Sequence, residues 1–173
     1  YARLDVRSPC DTNIKNGDDF DIRYAEEIIE AQIKAAMTQQ GWWGQDDKYA
    51  KSDVAIAVIK QWSDDEVVYI VNRSKSAIDF AGGWRLVDKK GHELSFCDFP
   101  NCILLPGGIF RVHSGPAVKT KTGKLVRSGS ADIDLYWRGD HVWNQDDDTA
   151  TLSDPTGATV YSYTYPLIDN YWK

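Results

Sequence analysis

The spacing of apolar residues changes once along the chain, near residue 50, and this change constrains the fold more than any other feature. Before residue 50, apolar side chains recur at steps of three and four, the spacing of one helical face, at Ala25, Ile28, Ile29, Ile33, Ala36 and Met37. After it, apolar and polar residues alternate in short runs between turn signals. The pattern therefore predicts one α-helix followed by a β region.

Polar residues and a glycine mark the predicted ends of the helix. Asp19 or Asp21 can cap its start, because a short acidic side chain accepts hydrogen bonds from free backbone N–H groups. Glu26 and Glu27 lie in the first turn, where the helix dipole favours negative charge. Gly41 is the predicted stop, since glycine adopts the left-handed conformation without a steric penalty.

Short strands separated by Gly, Pro and Asp turns are predicted throughout the second part of the chain. The candidate segments are VAIAVIKQW (54–62), EVVYIVNRS (66–74), GWRLVDKKGHELSF (83–96), ILLPGGIFRVHSG (103–115), ADIDLYW (131–137) and DTATLSDPTGATVYSYTY (148–165). No helical pattern separates these strands, so crossover connections are not expected. The predicted fold class is mainly β: an immunoglobulin-like antiparallel β-sandwich preceded by one α-helix.

The strand region resembles the lamin tail domain family over residues 53–165. The matching elements are Gly83 and Trp84 before LVD, the LPGG bend at 105–108 before FRV, and the VWN at 142–144 that runs into DDDTATLSDPTG. The resemblance implies an immunoglobulin-like module that binds or tethers without chemistry of its own. It also implies a secreted or surface-exposed prokaryotic protein, extracellular or at the cell surface, attached to a protein, nucleic acid or surface polymer.

The helical segment at residues 20–47 is similar to the C-terminal helix of thermonuclease (staphylococcal-nuclease-like) domains. On this resemblance, residues 1–50 are the remnant of an upstream nuclease domain, Arg3 belongs to a Tyr-Gly-Arg-like segment, and residues 51–173 form the sandwich. The implied alternative function is the C-terminal part of a secreted calcium-dependent nuclease, a longer protein with its active site mostly before Tyr1. The competing interpretation is an amphipathic helix that packs on the sandwich.

Three consecutive aspartates raise the question of a metal site. Asp146, Asp147 and Asp148, with Asn144, offer the several oxygens that calcium prefers on a flexible loop. The spacing lacks the central glycine and closing glutamate of an EF-hand, and the family resemblance indicates a turn between strands. A structural turn is the favoured interpretation, calcium binding is the alternative, and no catalytic residue or other cofactor is predicted.

One basic stretch stands out in an acidic chain. The formal net charge is −6, which argues against binding nucleic acid through phosphate contacts alone. The segment VKTKTGKLVR places Lys119, Lys121, Lys124 and Arg127 on one predicted hairpin. These residues form either a charged soluble loop or a surface that binds an anion or polymer. The chain has no apolar run near the roughly 18 residues of a membrane span.

Tyrosines and cysteines supply the remaining candidates. Tyr161, Tyr163 and Tyr165 alternate with polar residues on the last strand, and either form an exposed contact row or cover the base of the sandwich. The free edge of that strand also allows weak self-association. Cys97 and Cys102 flank a four-residue turn, which leaves a disulfide or two free thiols open.

The three histidines show no metal-ligand spacing. His92, His113 and His141 are therefore predicted to be surface residues.

Overall fold

The computed structural model describes residues 25–44 and 48–165, which form one helix and eleven strands. The predicted helix caps at Asp19 and Asp21, the segment 1–3 and Cys10 lie outside these residues. No helix in the described ranges is long and apolar enough to cross a membrane.

Helix α1 spans Ala25–Met37, and it ends earlier than predicted. Gln39 adopts the left-handed conformation, with φ of 54°. The Gln40 N–H donates to the Ala35 carbonyl at 2.9 Å, which satisfies one of the free carbonyls at the helix end. Gln39 therefore ends the helix, and Gly41 follows that stop.

The predicted strand segments all contain strands. Their bounds are β1 Val54–Lys60, β2 Glu66–Asn72, β3 Ile78–Asp79, β4 Arg85–Val87, β5 Glu93–Ser95, β6 Ile103–Leu104, β7 Ile109–Ser114, β8 Leu125–Ser128, β9 Asp132–Arg138, β10 Asp148–Ser153 and β11 Thr159–Tyr165. The turns predicted at 89–91 and 154–157 close the β4–β5 and β10–β11 hairpins. In the second turn, the Asp154 carboxylate accepts from the Thr156 N–H at 2.8 Å.

Two sheets form an immunoglobulin-like β-sandwich. The larger sheet has the strand order β1-β2-β7-β9-β8, the second has the order β11-β10-β4-β5, and β3 pairs with β6 alone. All pairs are antiparallel except β7 and β9, which run parallel. The prediction of an all-antiparallel sandwich is wrong at this one pair, because the β8–β9 hairpin folds back and inserts β9 beside β7.

Alternation along the strands builds the core between the two sheets. Phe110 and Val112 on β7 face the same side as Ile133 and Leu135 on β9, and all four are buried. Phe80, in the 3₁₀ turn that follows β3, packs against these residues, with its ring centroid 5.0 Å from that of Phe110. This inward row leaves the alternate polar residues of β7 and β9 on the outer face of the five-stranded sheet.

Helix α1 covers part of that outer face. It contacts β1 and β2, and β1 is buried from Val54 to Ile59 because the core lies on one side and the helix on the other. The interpretation that the helix packs on the sandwich is therefore confirmed. The outer face of β7, β9 and β8 lies beyond the helix.

Glycines form two of the bends in the sandwich, and two tryptophans pack at its core. Gly83 and Gly107 have φ of 121° and 70°, so they supply the bends that L-residues would resist. Trp143 is buried, whereas Trp84 is half-buried with its ring 4.7 Å from that of Phe80. Both tryptophans therefore pack at the core.

Candidate binding surface

Asp148 is the centre of the loop between β9 and β10. Its side chain is fully buried and accepts hydrogen bonds from the Lys89 N–H at 2.9 Å and the Asn144 N–H at 3.0 Å. It also accepts from the Asn144 side-chain amide at 3.0 Å and from the Thr149 N–H at 2.7 Å. The carboxylate thus ties the β4–β5 turn to the start of β10, as the structural interpretation of this loop requires.

Asp147 and the two lysines of the β4–β5 turn also find partners within the molecule. Lys89 forms an ion pair with Asp147, and this hydrogen bond and charge raise the pKa of Lys89. The Lys90 ammonium donates to the Asn144 side-chain oxygen at 2.6 Å. We call residues 144–148, with these two lysines, the acid loop.

Metal-binding geometry is not assembled in the part of the chain that the structure describes. Within it, no three His, Cys, Asp or Glu side chains are grouped so as to hold a metal ion. In the acid loop, Asp146 is exposed while Asp148 is buried among backbone donors. Calcium binding at these residues stays a prediction without a preformed cage.

The tyrosine row faces the core. Tyr161, Tyr163 and Tyr165 are 2%, 4% and 6% exposed, so the expectation of an exposed contact row is wrong and the alternative, a cover over the base of the sandwich, holds. The Tyr165 hydroxyl donates to the Asn144 carbonyl at 2.6 Å. Burial, with the nearby Asp148 charge, raises the pKa of Tyr165. Alternation along β11 places the three tyrosines on one face of the strand, and the structure shows that this is the inner face.

The two cysteines differ in environment. Cys97 is exposed in a short 3₁₀ turn after β5, Cys102 is buried before β6, and both are free thiols. The segment between them does not join two paired strands, because β5 and β6 belong to different sheets. Burial, with the nearby Asp79 charge, raises the pKa of Cys102 to about 12, which makes its thiol a poor nucleophile.

The histidines are more engaged than predicted. His113 is buried, with its two ring nitrogens 2.8 Å from Asp65 and 3.1 Å from Asp134, so the prediction of a surface position is wrong for this residue. His92 lies 2.7 Å from Asp88, and His141 lies 3.0 Å from Glu66. Each of the three is held by a carboxylate.

Glu66 is a buried carboxylate that sequence reasoning missed. It is 1% exposed at the start of β2 and accepts from the Ser114 hydroxyl and the Val142 N–H, both at 2.8 Å. The exposed His141 ring also contacts the Glu66 carboxylate. An acid that opens an apolar strand resembles an ordinary turn residue in the sequence, so only the fold reveals this network.

A second missed cluster lies on the outer face of the five-stranded sheet. The Arg111 guanidinium donates to Asp134 at 2.7 Å across the parallel β7–β9 pair. Burial alone would raise the pKa of Asp134, but hydrogen bonds from Arg111, Ser128 and His113 lower it to about 2. These partners occupy both carboxylate oxygens, so Asp134 is held as an ion and does not act as a base.

A groove separates helix α1 from this cluster. Its volume is about 480 Å³, and it is lined by Glu26, Ile29, Glu30, Ile33, Lys34, Met37, Tyr69, Ile109 and Arg111. Burial, with the nearby Glu26 charge, raises the pKa of Tyr69 to about 12, so its hydroxyl stays protonated. The groove can accept an apolar side chain between charged rims.

The predicted basic residues lie on residues 116–128, which we call the basic segment. It comprises the 3₁₀ turn Pro116–Lys121, a short loop and strand β8, rather than the single hairpin that was predicted. Packing anchors it: Val118 is buried, and a side chain at Gly139 would come within 2.8 Å of the Lys119 Cα. Only glycine allows the two backbones to approach this closely.

The lysines of the basic segment point into solvent. Lys119, Lys121 and Lys124 are exposed, and none forms an ion pair with another described residue. Lys121 lies over the Tyr136 ring, 5.0 Å from its centroid. The structure thus places three cationic groups on one exposed segment.

Arg127 differs from these lysines because it is used inside the molecule. Its guanidinium donates to the carbonyls of Asn101 at 2.8 Å and Ile103 at 3.3 Å. It therefore holds β8 to the segment that leads into β6.

Among solved structures, the chain is similar to the archaellum periplasmic stator protein FlaG from Sulfolobus acidocaldarius, at 13% identity and a TM-score of 0.40. That alignment covers 66% of this chain and 99% of the other, and a likeness at this level says nothing about what the chain binds. No curated protein matches the chain.

The family model described as Lamin Tail Domain matches residues 47–166, which span the sandwich. The match includes the glycine bends, the buried Trp143 and the acid loop. The chain therefore belongs to the lamin tail domain family.

Proposed function

We propose that the chain is a non-catalytic binding module that tethers the protein carrying it to an acidic partner through the basic segment. The observation that carries this proposal is the set of three exposed lysines without an ion-pair partner among the described residues. Elsewhere in the sandwich, by contrast, Lys89 is paired with Asp147 and Arg111 with Asp134 within the molecule. The location proposed with it is extracellular or at the cell surface.

An acidic protein segment fits the charge distribution better than a long nucleic acid. The chain carries a net charge of −6, which repels an extended polyanion. Screening limits such repulsion to about 8 Å at physiological salt, so a short acidic segment responds mainly to the nearby lysines. The alternative of a nuclease tail places its active site before Tyr1 and stays a prediction.

A charge-reversal pair tests this function. The probe is a fluorescein-labelled peptide of about 12 residues with alternating glutamate and valine, and the test variant is Lys119→Glu/Lys124→Glu. We expect binding to weaken about tenfold, because two attractive contacts become repulsive. Fluorescence anisotropy at low and physiological salt measures the change.

The matched control is Lys48→Glu/Lys51→Glu, which changes the net charge equally but lies before β1, at the opposite edge of the sheet. Binding to the control should stay within about threefold of the original. Equal losses in both variants would reject the basic segment as the contact surface. A single-stranded DNA of similar charge should bind more weakly than the peptide, and stronger binding would reassign the partner to nucleic acid.

A further inference from the structure

Strand β8 is the outer strand of the five-stranded sheet, and its backbone has a free side. β8 pairs with β9 alone. The Tyr136 N–H donates to the Lys124 carbonyl at 2.9 Å, so in an antiparallel ladder the backbone of Val126, two residues on, also points toward β9. The N–H and carbonyl groups of Leu125 and Arg127 therefore point away from the sheet.

The other sheet edges offer less free backbone for pairing with an added strand. The outer strand β1 contacts β11, an outer strand of the second sheet, so these two edges lie close to each other. Of the remaining edge strands, β5 has three residues and leads directly into a 3₁₀ turn, and β3 and β6 have two residues each. Among the described strands, β8 thus presents the most accessible unpaired edge.

Two exposed apolar side chains, those of Val126 and Ile103, lie at this edge. The large hydrophobic residues that are exposed in the described ranges are Ile103, Leu105 and Val126, at 36%, 38% and 48%. Val126 lies on β8, opposite Asp134 and on the outer face. Ile103 is adjacent to β8 because its carbonyl accepts from Arg127. A strand laid along β8 would find apolar contacts beside an otherwise polar surface.

The nearby positive charges favour an added strand that carries acidic residues. Lys119, Lys121 and Lys124 lie in the turn and loop that lead into β8, at its N-terminal end. An extended segment that pairs with β8 would place side chains near these ammonium groups, where acidic residues are favoured. Valine or isoleucine at alternate positions would match Val126 and favour the extended conformation.

We propose that β8 binds an extended acidic segment of a partner protein by adding it as a sixth strand to the sheet. The main-chain groups of Leu125 and Arg127 supply the pairing, Val126 supplies apolar contact, and the three lysines select acidic residues. This inference rests on the proposed function and specifies how the basic segment recognises its partner.

A backbone-modified peptide separates strand addition from simple charge attraction. The glutamate–valine peptide is compared with the same peptide N-methylated at about four consecutive central residues. This change keeps every side chain and charge but removes the N–H donors and blocks pairing. We expect the methylated peptide to bind at least about tenfold more weakly. Comparable binding of the two peptides would overturn strand addition.

Amide hydrogen exchange then locates the contact. Saturating peptide should slow exchange of the Leu125 and Arg127 amides at least about tenfold, while the Val126 amide, already directed at β9, changes little. Lysine-dependent binding without this protection would leave the tethering function intact and reject the edge. If neither peptide binds, the proposed function itself fails.

Pairing between two copies of the chain is the remaining outcome. Protection of Leu125 and Arg127 that appears without peptide and rises with protein concentration would identify a second β8 strand as the occupant. That result would overturn the acidic-partner assignment. Sedimentation equilibrium on the same samples would show the dimer.

Discussion

The acid loop and the basic segment are both runs of like charge in the sequence, but the fold treats them in opposite ways. In the acid loop, Asp148 is buried among backbone donors and Asp147 is paired with Lys89. In the basic segment, Lys119 and Lys124 extend from a packed turn without an ion-pair partner among the described residues. The charges of the first cluster hold strands together, whereas the lysines of the second have no ion-pair partner among the described residues.

This difference shows that clustering of charge in a sequence does not by itself indicate a site. A cluster is structural when the fold brings opposite charges and N–H donors to it. It is a candidate for binding when the fold only anchors its backbone, as Val118 and Gly139 anchor the basic segment. The predictions below test the two halves of this contrast.

The largest effect is expected from Asp148→Ala. The substitution leaves the N–H groups of Lys89, Asn144 and Thr149 without their acceptor in a buried site. Unsatisfied buried donors of this kind cost several kcal/mol, so the free energy of unfolding should fall by about 3–5 kcal/mol. Urea unfolding followed by tryptophan fluorescence measures the change.

The control is Asp146→Ala, in the same acidic run but exposed. Its effect on the free energy of unfolding should stay within about 0.5 kcal/mol. Similar losses in the two variants would contradict the view that burial of one aspartate, rather than the charge of the run, stabilises the loop.

A smaller loss is expected from Gly139→Ala. The new methyl group would lie about 2.8 Å from the Lys119 Cα, so one backbone must shift. Such overpacking should lower the free energy of unfolding by about 1–3 kcal/mol. In Gly82→Ala, the added methyl meets nothing within 4 Å and should be nearly neutral. A neutral Gly139→Ala would mean that packing does not anchor the basic segment.

Most of the fold could be predicted from local patterns in the sequence. The strands β1 and β2 follow from their short apolar runs, and the β10–β11 turn follows from Asp154, Pro155 and Gly157. The parallel pairing of β7 with β9 could not be predicted, because it depends on which strand of the β8–β9 hairpin lies beside β7. Turn chemistry fixes a hairpin but not its neighbour in the sheet.

The site was harder to predict than the fold. Alternation groups Tyr161, Tyr163 and Tyr165 on one face but does not state whether that face is inside. Likewise, Asp148 and Asp146 are the same residue type two positions apart, and only the position of the β4–β5 turn separates their roles. His113 lies on the outer face of β7, yet its contacts with Asp65 and the Tyr136 ring bury it.

Acid should weaken the outer-face cluster by a smaller amount. The pKa of Asp134 is about 2 in the folded chain, below its ordinary value of 3.8, so its stabilisation is present above about pH 4 and is lost as the pH falls through about 2. Solvent screening at the sheet surface reduces the contribution to about 1 kcal/mol. Asp134→Asn should lose this part of the acid sensitivity in unfolding titrations.

A graded variant checks the cause. Ser128→Ala removes one hydrogen bond to Asp134 and should lessen the acid sensitivity less than Asp134→Asn does. If both variants lose stability between about pH 4 and 2 as the original chain does, another group is responsible for the acid response.

Calcium tests the contrast between the two clusters directly, because we expect it to have no effect on the stability of the chain. A ligand that binds only the folded state stabilises it by about 2.7 kcal/mol at a hundredfold excess over its dissociation constant, which would raise the melting temperature by several degrees. We expect no rise at about 5 mM calcium, a concentration that would load most extracellular calcium modules. Asp147 is already paired with Lys89, and Asp148 is bonded to backbone donors. A rise in the melting temperature that Asp146→Ala abolishes would show that the acid loop binds calcium and is not only structural.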